Sequence, residues 1–329
     1  MLSKNKLRIP LVALCSLLFC TGQSQSLKGV TGIKDTSYTT ASAFAKDVVH
    51  HPEIEVVKEF KFETVKEERN ITYTTIGNRE LKLDVFKNVI SENLGVAVII
   101  IHGGGWRSGD RSQHYPMAQK LASLGYVCFT PEYRLSTEAL FPAAIYDLKA
   151  AVRWVRTHAE KFKFSPKQIV VCGFSAGGEL AAFLGTTGNM PLFEGNTESA
   201  KPNSQVNAVI DIDGTLSFVH PESGEGDDSK RTSAATYWFG YSKKEKPILW
   251  QAASPLAYTG PETPPTLFIN SSVDRMHAGR NDYIKILNEQ STYSKVVDFK
   301  EAPHSFILYQ PWFDPSIKAM DDFMKEVFE

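Results

Sequence analysis

Apolar and polar positions along the chain alternate with two different periods, and the change from one to the other predicts the architecture. From Asn70, the period-2 runs Ile71-Thr72-Tyr73-Thr74 and Leu81-Lys82-Leu83-Asp84-Val85-Phe86, joined through Gly77-Asn78, predict an antiparallel hairpin. Short continuous apolar runs then alternate with longer helical patterns. Strands are expected at 96–101, 126–130, 168–172, 206–212, 265–270 and 295–299. Helices are expected around 112–124, 142–160, 176–186, 279–290 and 313–328. In the 142–160 segment, Ile145, Leu148, Val152 and Val155 share one face, as in a helix packed on a sheet. The last helix lines up Phe313, Ile317, Met320, Met324 and Val327. Such alternation implies an α/β fold: a mostly parallel, eight-stranded sheet with helices on both faces.

Three stretches stand outside the alternation. Residues 26–65 are weakly patterned and read as a leader that packs against a body spanning 66–329. Residues 187–204 read as loop. Residues 214–263 follow the sixth strand and join an acidic patch, Glu222 to Asp228, to an aromatic segment with Tyr237, Trp238, Phe239, Tyr241 and Trp250. This insertion reads equally as a lid or as a surface excursion of short helices.

The chemistry concentrates at two turns. Gly173-Phe174-Ser175-Ala176-Gly177-Gly178 lies between the strand ending at Cys172 and the helix that follows. Gly-x-Ser-x-Gly in that setting is a nucleophile elbow, in which small residues flanking the serine permit a strained turn that lifts its hydroxyl clear of the sheet. A serine needs a histidine to take its proton, a carboxylate to orient that histidine, and amides aimed at the oxyanion. The amide after the serine belongs to Ala176. Further donors are expected where the strand Val96–Ile101 runs into His102-Gly103-Gly104-Gly105-Trp106; Gly103 and Gly104 are assigned that role.

Together with Glu132-Tyr133-Arg134-Leu135 and Phe141-Pro142-Ala143-Ala144, these motifs resemble the α/β-hydrolase esterases of the hormone-sensitive-lipase-like group over roughly residues 70–329. Secreted bacterial carbohydrate esterases look closest, with Ala302-Pro303-His304-Ser305-Phe306 and Gln310-Pro311-Trp312-Phe313 resembling members of xylan- and pectin-degrading systems. The resemblance implies the chain order serine, acid, histidine. It makes His304, beyond the last strand, the base. It places the acid in the loop after the penultimate strand, at Asp274, with Asp282 as the rival. It implies removal of acyl groups, acetyl above all, from plant polysaccharide or oligosaccharide, without metal or cofactor. Phe174 stands where the group usually has an acidic residue, and no clear N-terminal helical cap is present; both count against a lipase acting on long acyl chains. Trp106, Trp238 and Phe306 are candidates to stack on sugar rings, with lid or core packing as the alternative, and His277 is a candidate to face the site. Runner-up readings are a secreted serine peptidase, a general small-ester carboxylesterase, or a hydrolase fold that binds without turnover.

Charge and leader sequence set the context. Thirty-six basic and 37 acidic side chains leave a net charge of −1, which removes the electrostatic argument for a nucleic-acid partner. Lys4, Lys6 and Arg8 precede the apolar run Ile9 to Cys20 and a small polar stretch, the layout of a secretory signal over residues 1–25. That run is too short to span a bilayer, and no later segment replaces it. The expected location is therefore secreted or periplasmic, with lipid anchoring at Cys20 as the alternative. Cys128 and Cys172 lie in apolar strands with another strand expected between them, so the core rather than a crosslink must hold the fold.

Overall fold

The computed structural model describes residues 27–90, 94–188, 190–195 and 203–329; the expected export signal and Cys20 lie outside them. Eight strands form one sheet: β1 (Val65–Ile76), β2 (Arg79–Asn88), β3 (Ala97–Ile101), β4 (Val127–Pro131), β5 (Ile169–Phe174), β6 (Ala208–Ile212), β7 (Thr266–Asn270) and β8 (Ser294–Asp298). Their order across the sheet is β1-β2-β4-β3-β5-β6-β7-β8. The hairpin β1–β2 and the β2–β4 pair are antiparallel, and every other pair is parallel. The hairpin strands are longer than the period-2 runs predict, because β-bulges after Glu68 and Thr72 restart the pairing where the sequence alternation lapses.

Central strands are buried on both faces, which explains their unbroken apolar runs. Ile99, Ile101 and Val171 pack under helices Ala143–Thr157 and Ala176–Thr186, while Val98, Ile100 and Cys172 pack under Tyr115–Ser123 and Phe313–Phe328. Cys128 and Cys172 are free and buried on β4 and β5, with β3 between them. Among the described residues no helix is long and apolar enough to cross a membrane.

The leader is stitched to the body. Glu55 and Val56 pair antiparallel with Gln310 and Tyr309, and Arg107 bonds both Asp35 (2.8 Å) and the Gly29 carbonyl (3.0 Å). The 214–263 segment forms short helices at Ala234–Phe239 and Pro247–Ala252, whose Trp238, Phe239 and Trp250 are fully buried around Phe218. Because β3 through β7 run parallel, their carboxyl ends share one edge, and the loops leaving that edge carry the chemistry.

Candidate active site

Ser175 sits at that edge in a conformation few side chains adopt, φ 57° and ψ −120°. The surrounding glycines are steric necessities. A Cβ on Gly173 would lie 1.9 Å from the Gly177 carbonyl oxygen, and one on Gly177 would lie 2.2 Å from that of Ile101. The Ser175 amide is anchored to the Ile212 carbonyl of β6 (2.8 Å), and its own carbonyl accepts from Gly178 (2.9 Å) as the helix begins. The strain is thus held by fixed backbone on both sides.

His304 reaches the serine from the loop after β8: its Nε2 lies 2.9 Å from Ser175 Oγ, and its Nδ1 2.9 Å from a carboxylate oxygen. The Phe174 ring packs beside it, centroids 5.0 Å apart. That carboxylate belongs to Asp213, the first residue past β6, and not to Asp274. Asp274 starts the one-turn helix Asp274–His277 and is exposed, because that turn brings His277 rather than Asp274 back to the site. The rival Asp282 is also exposed, 3.5 Å from His220. Asp213 is fully buried, and burial pushes its pKa up. Bonds donated by His277 and His304 outweigh that, so the carboxyl is held well below its usual range. Its place in the chain, between 175 and 304, satisfied the expected order. The available signal was a carboxylate at the mouth of the sixth strand, in Asp211-Ile212-Asp213-Gly214.

The donor assignment shifts by one residue. The Gly103 amide is already used, donating to Gln113 Oε1 at 2.8 Å. The amides of Gly104, Gly105 and Ala176 have no acceptor among the described residues. Gly104 and Gly105 both need positive φ, 115° and 59°, and a Cβ on Gly104 would strike the Ser108 carbonyl at 2.2 Å.

The aromatic candidates turn inward. Trp106 is 4% exposed, stacks on the fully buried Trp238 at 4.9 Å, and donates its indole N–H to Glu179 Oε2 at 2.9 Å. Phe306 is fully buried against Phe299. None of the three can offer a ring face to a sugar; they tie the oxyanion loop, the insertion and the core together. His277, the fourth candidate, bonds Asp213 Oδ1 at 3.2 Å. Beneath the elbow lie two buried carboxyls, Glu179 and Asp211, whose pKa values burial raises well above the ordinary range. Among the described residues no group of three or more His, Cys, Asp or Glu side chains is placed to hold a metal ion.

The BD-FAE family profile matches residues 83–279, more than half of the chain. The protein belongs to the BD-FAE family. This makes it an α/β hydrolase of the hormone-sensitive-lipase-like esterase group. Among curated relatives, Esterase LipQ of Mycobacterium tuberculosis is 29% identical over 203 residues, covering 61% of this chain and 47% of its own length. The probable carboxylic ester hydrolase LipM of the same organism is 33% identical over 152 residues, 45% of this chain and 35% of that protein. The chain therefore spans about half or less of the length of these relatives. Similar folds include a truncated carbohydrate esterase from gut microbiota (TM-score 0.67, 22% identity, 82% of this chain and 100% of that one). They also include the Thermogutta terrifontis esterase Est2 (TM-score 0.64, 24% identity, 80% and 93%) and a bifunctional GH43-CE protein of Bacteroides eggerthii (0.65, 23%, 79% and 38%). At these identities the likeness establishes the fold.

Proposed function

We propose that the protein is an exported serine esterase that removes short acyl groups, acetyl above all, from plant cell-wall polysaccharide or its oligosaccharides. One observation carries the chemistry: the unbroken chain Ser175 Oγ, His304, Asp213, with 2.9 Å at each link. Asp213 is a carboxylate and can only accept, so His304 Nδ1 carries the proton and Nε2 presents its lone pair to the serine hydroxyl. His304 takes that proton as Ser175 attacks the ester carbonyl. The free amides of Gly104, Gly105 and Ala176 receive the oxyanion. His304 then protonates the departing alcohol, and water repeats the cycle on the acyl-enzyme.

The alcohol side of this reading is supported by charge. Glu225 lies within electrostatic reach of His304, Arg275 and Lys243, and 3.7 Å from the Arg275 guanidinium. Charged and polar side chains this near the base suit a polyhydroxylated alcohol better than a lipid. That a similar fold is named as a carbohydrate esterase makes sugar the alcohol to test first. The N-terminal layout of Lys4, Lys6, Arg8 and the apolar run to Cys20 supports export. Hydrolysis of p-nitrophenyl acetate, with Ser175→Ala as the control, tests the chemistry: the variant should fall to background, and unchanged turnover would end the proposal. Acetate release from acetylated xylan against acetylated pectin then assigns the substrate.

A further inference from the structure

The acid of this site is gripped by more than the histidine it serves. Asp213 Oδ2 accepts from His304 Nδ1, while Oδ1 accepts both the Ser271 amide (2.8 Å) and His277 Nε2 (3.2 Å). Ser271 and His277 lie in the loop that follows β7, where the orienting carboxylate itself was expected. The carboxylate stands one strand along the sheet from its expected place, and the loop after β7 supplies its clamp.

We propose that His277 is a positioning residue for acyl transfer, its Nε2–H fixing one oxygen of Asp213 so that the other meets His304 Nδ1. The inference rests on Ser175 being the nucleophile of an esterase. Its physical basis is rotational. A carboxylate turns readily about its last torsion, and only a donor set on Oδ1 prevents Oδ2 from leaving the imidazole. Asp213 is fully buried on a backbone of φ 53°, so solvent cannot replace a missing donor. The charged groups nearby do not supply one. Asp211 lies beneath the elbow and accepts from the Gly214 amide; Arg280 bonds Asn270 (2.6 Å) and Asp298 (3.0 Å); Glu225 faces Arg275. His277 itself is only 11% exposed at its side chain, a geometry for holding a neighbour rather than a sugar.

His277→Ala and His277→Gln test this, since glutamine keeps an N–H donor at similar reach. The alanine variant should lose about 10–100-fold in kcat on p-nitrophenyl acetate with KM within about twofold. The acid limb of its pH profile should move upward as Asp213 becomes easier to protonate, and glutamine should restore most of the rate. An alanine variant that melts like the parent and keeps kcat within about twofold, with the same pH profile, would overturn the proposal. A readout independent of turnover guards against failed folding and against an error in the assigned reaction. In the ¹⁵N-histidine spectrum of the whole chain, slowly exchanging His277 and His304 N–H protons should vanish together in Asp213→Ala, which removes both acceptor oxygens. A His277 proton indifferent to that substitution refutes the clamp, whatever ester the enzyme prefers. Absence of Ser175-dependent turnover in the parent would instead refute the esterase reading, with the spectra still deciding the clamp.

Discussion

The two ends of the hydrogen-bond chain are built on opposite principles. The elbow around Ser175 is a steric device: six consecutive residues, three of them glycine, hold a strained turn because main-chain oxygens leave no space for a side chain. Burial raises the pKa values of its acids, Glu179 and Asp211, and so disfavours their charged forms. The acid end is an electrostatic device. Asp213 comes from one strand and its donors from loops 58, 64 and 91 residues further along, and the charge itself is what they hold. The elbow should therefore tolerate loss of charge but not added volume, whereas loss of charge is what Asp213 should not tolerate.

Breaking the elbow by volume gives the largest effect. Gly177→Ala forces a methyl to 2.2 Å from the Ile101 carbonyl and 2.7 Å from that of His102, with backbone on every side. We expect a loss of about 3 kcal/mol or more in chemical denaturation, or failure to fold. Removing charge there should do far less. Glu179→Gln keeps an oxygen for the Trp106 indole and replaces a carboxyl whose charged form burial disfavours. Because the folded-state pKa of Glu179 is raised, the native form holds a proton that the unfolded chain releases above about pH 4.5, so this carboxyl costs stability as pH rises. The glutamine variant should thus match the parent near pH 4.5 and become the more stable of the two toward pH 8. Melting curves across that range check the sign; a variant that loses ground as pH rises would show that Glu179 works as an anion.

How much was legible in the sequence follows the same division. The elbow, the glycine loop and the alternating strands are local patterns, and each emerges within a residue or two of its expected bounds. His304 was legible because chain order left it alone beyond the last strand. Asp213 was not, because nothing within its own loop separates it from Asp274. The choice is made by the His277 and Ser271 donors, which meet it only in three dimensions. The oxyanion donors slipped for a similar reason: that Gln113 occupies the Gly103 amide depends on a contact ten residues away. The exposed-sugar-platform reading of Trp106, Trp238 and Phe306 failed because aromatic residues around a pocket are indistinguishable, in sequence, from those that wall it from inside.

The account depends most on where the orienting carboxylate sits, and kcat/KM for p-nitrophenyl acetate in Asp213→Asn beside Asp274→Asn measures that directly. The buried substitution should cost about 10³–10⁴-fold by favouring the wrong imidazole tautomer, while the exposed one should stay within about twofold of the parent. The opposite pattern, with turnover lost only at position 274, would contradict the site described here.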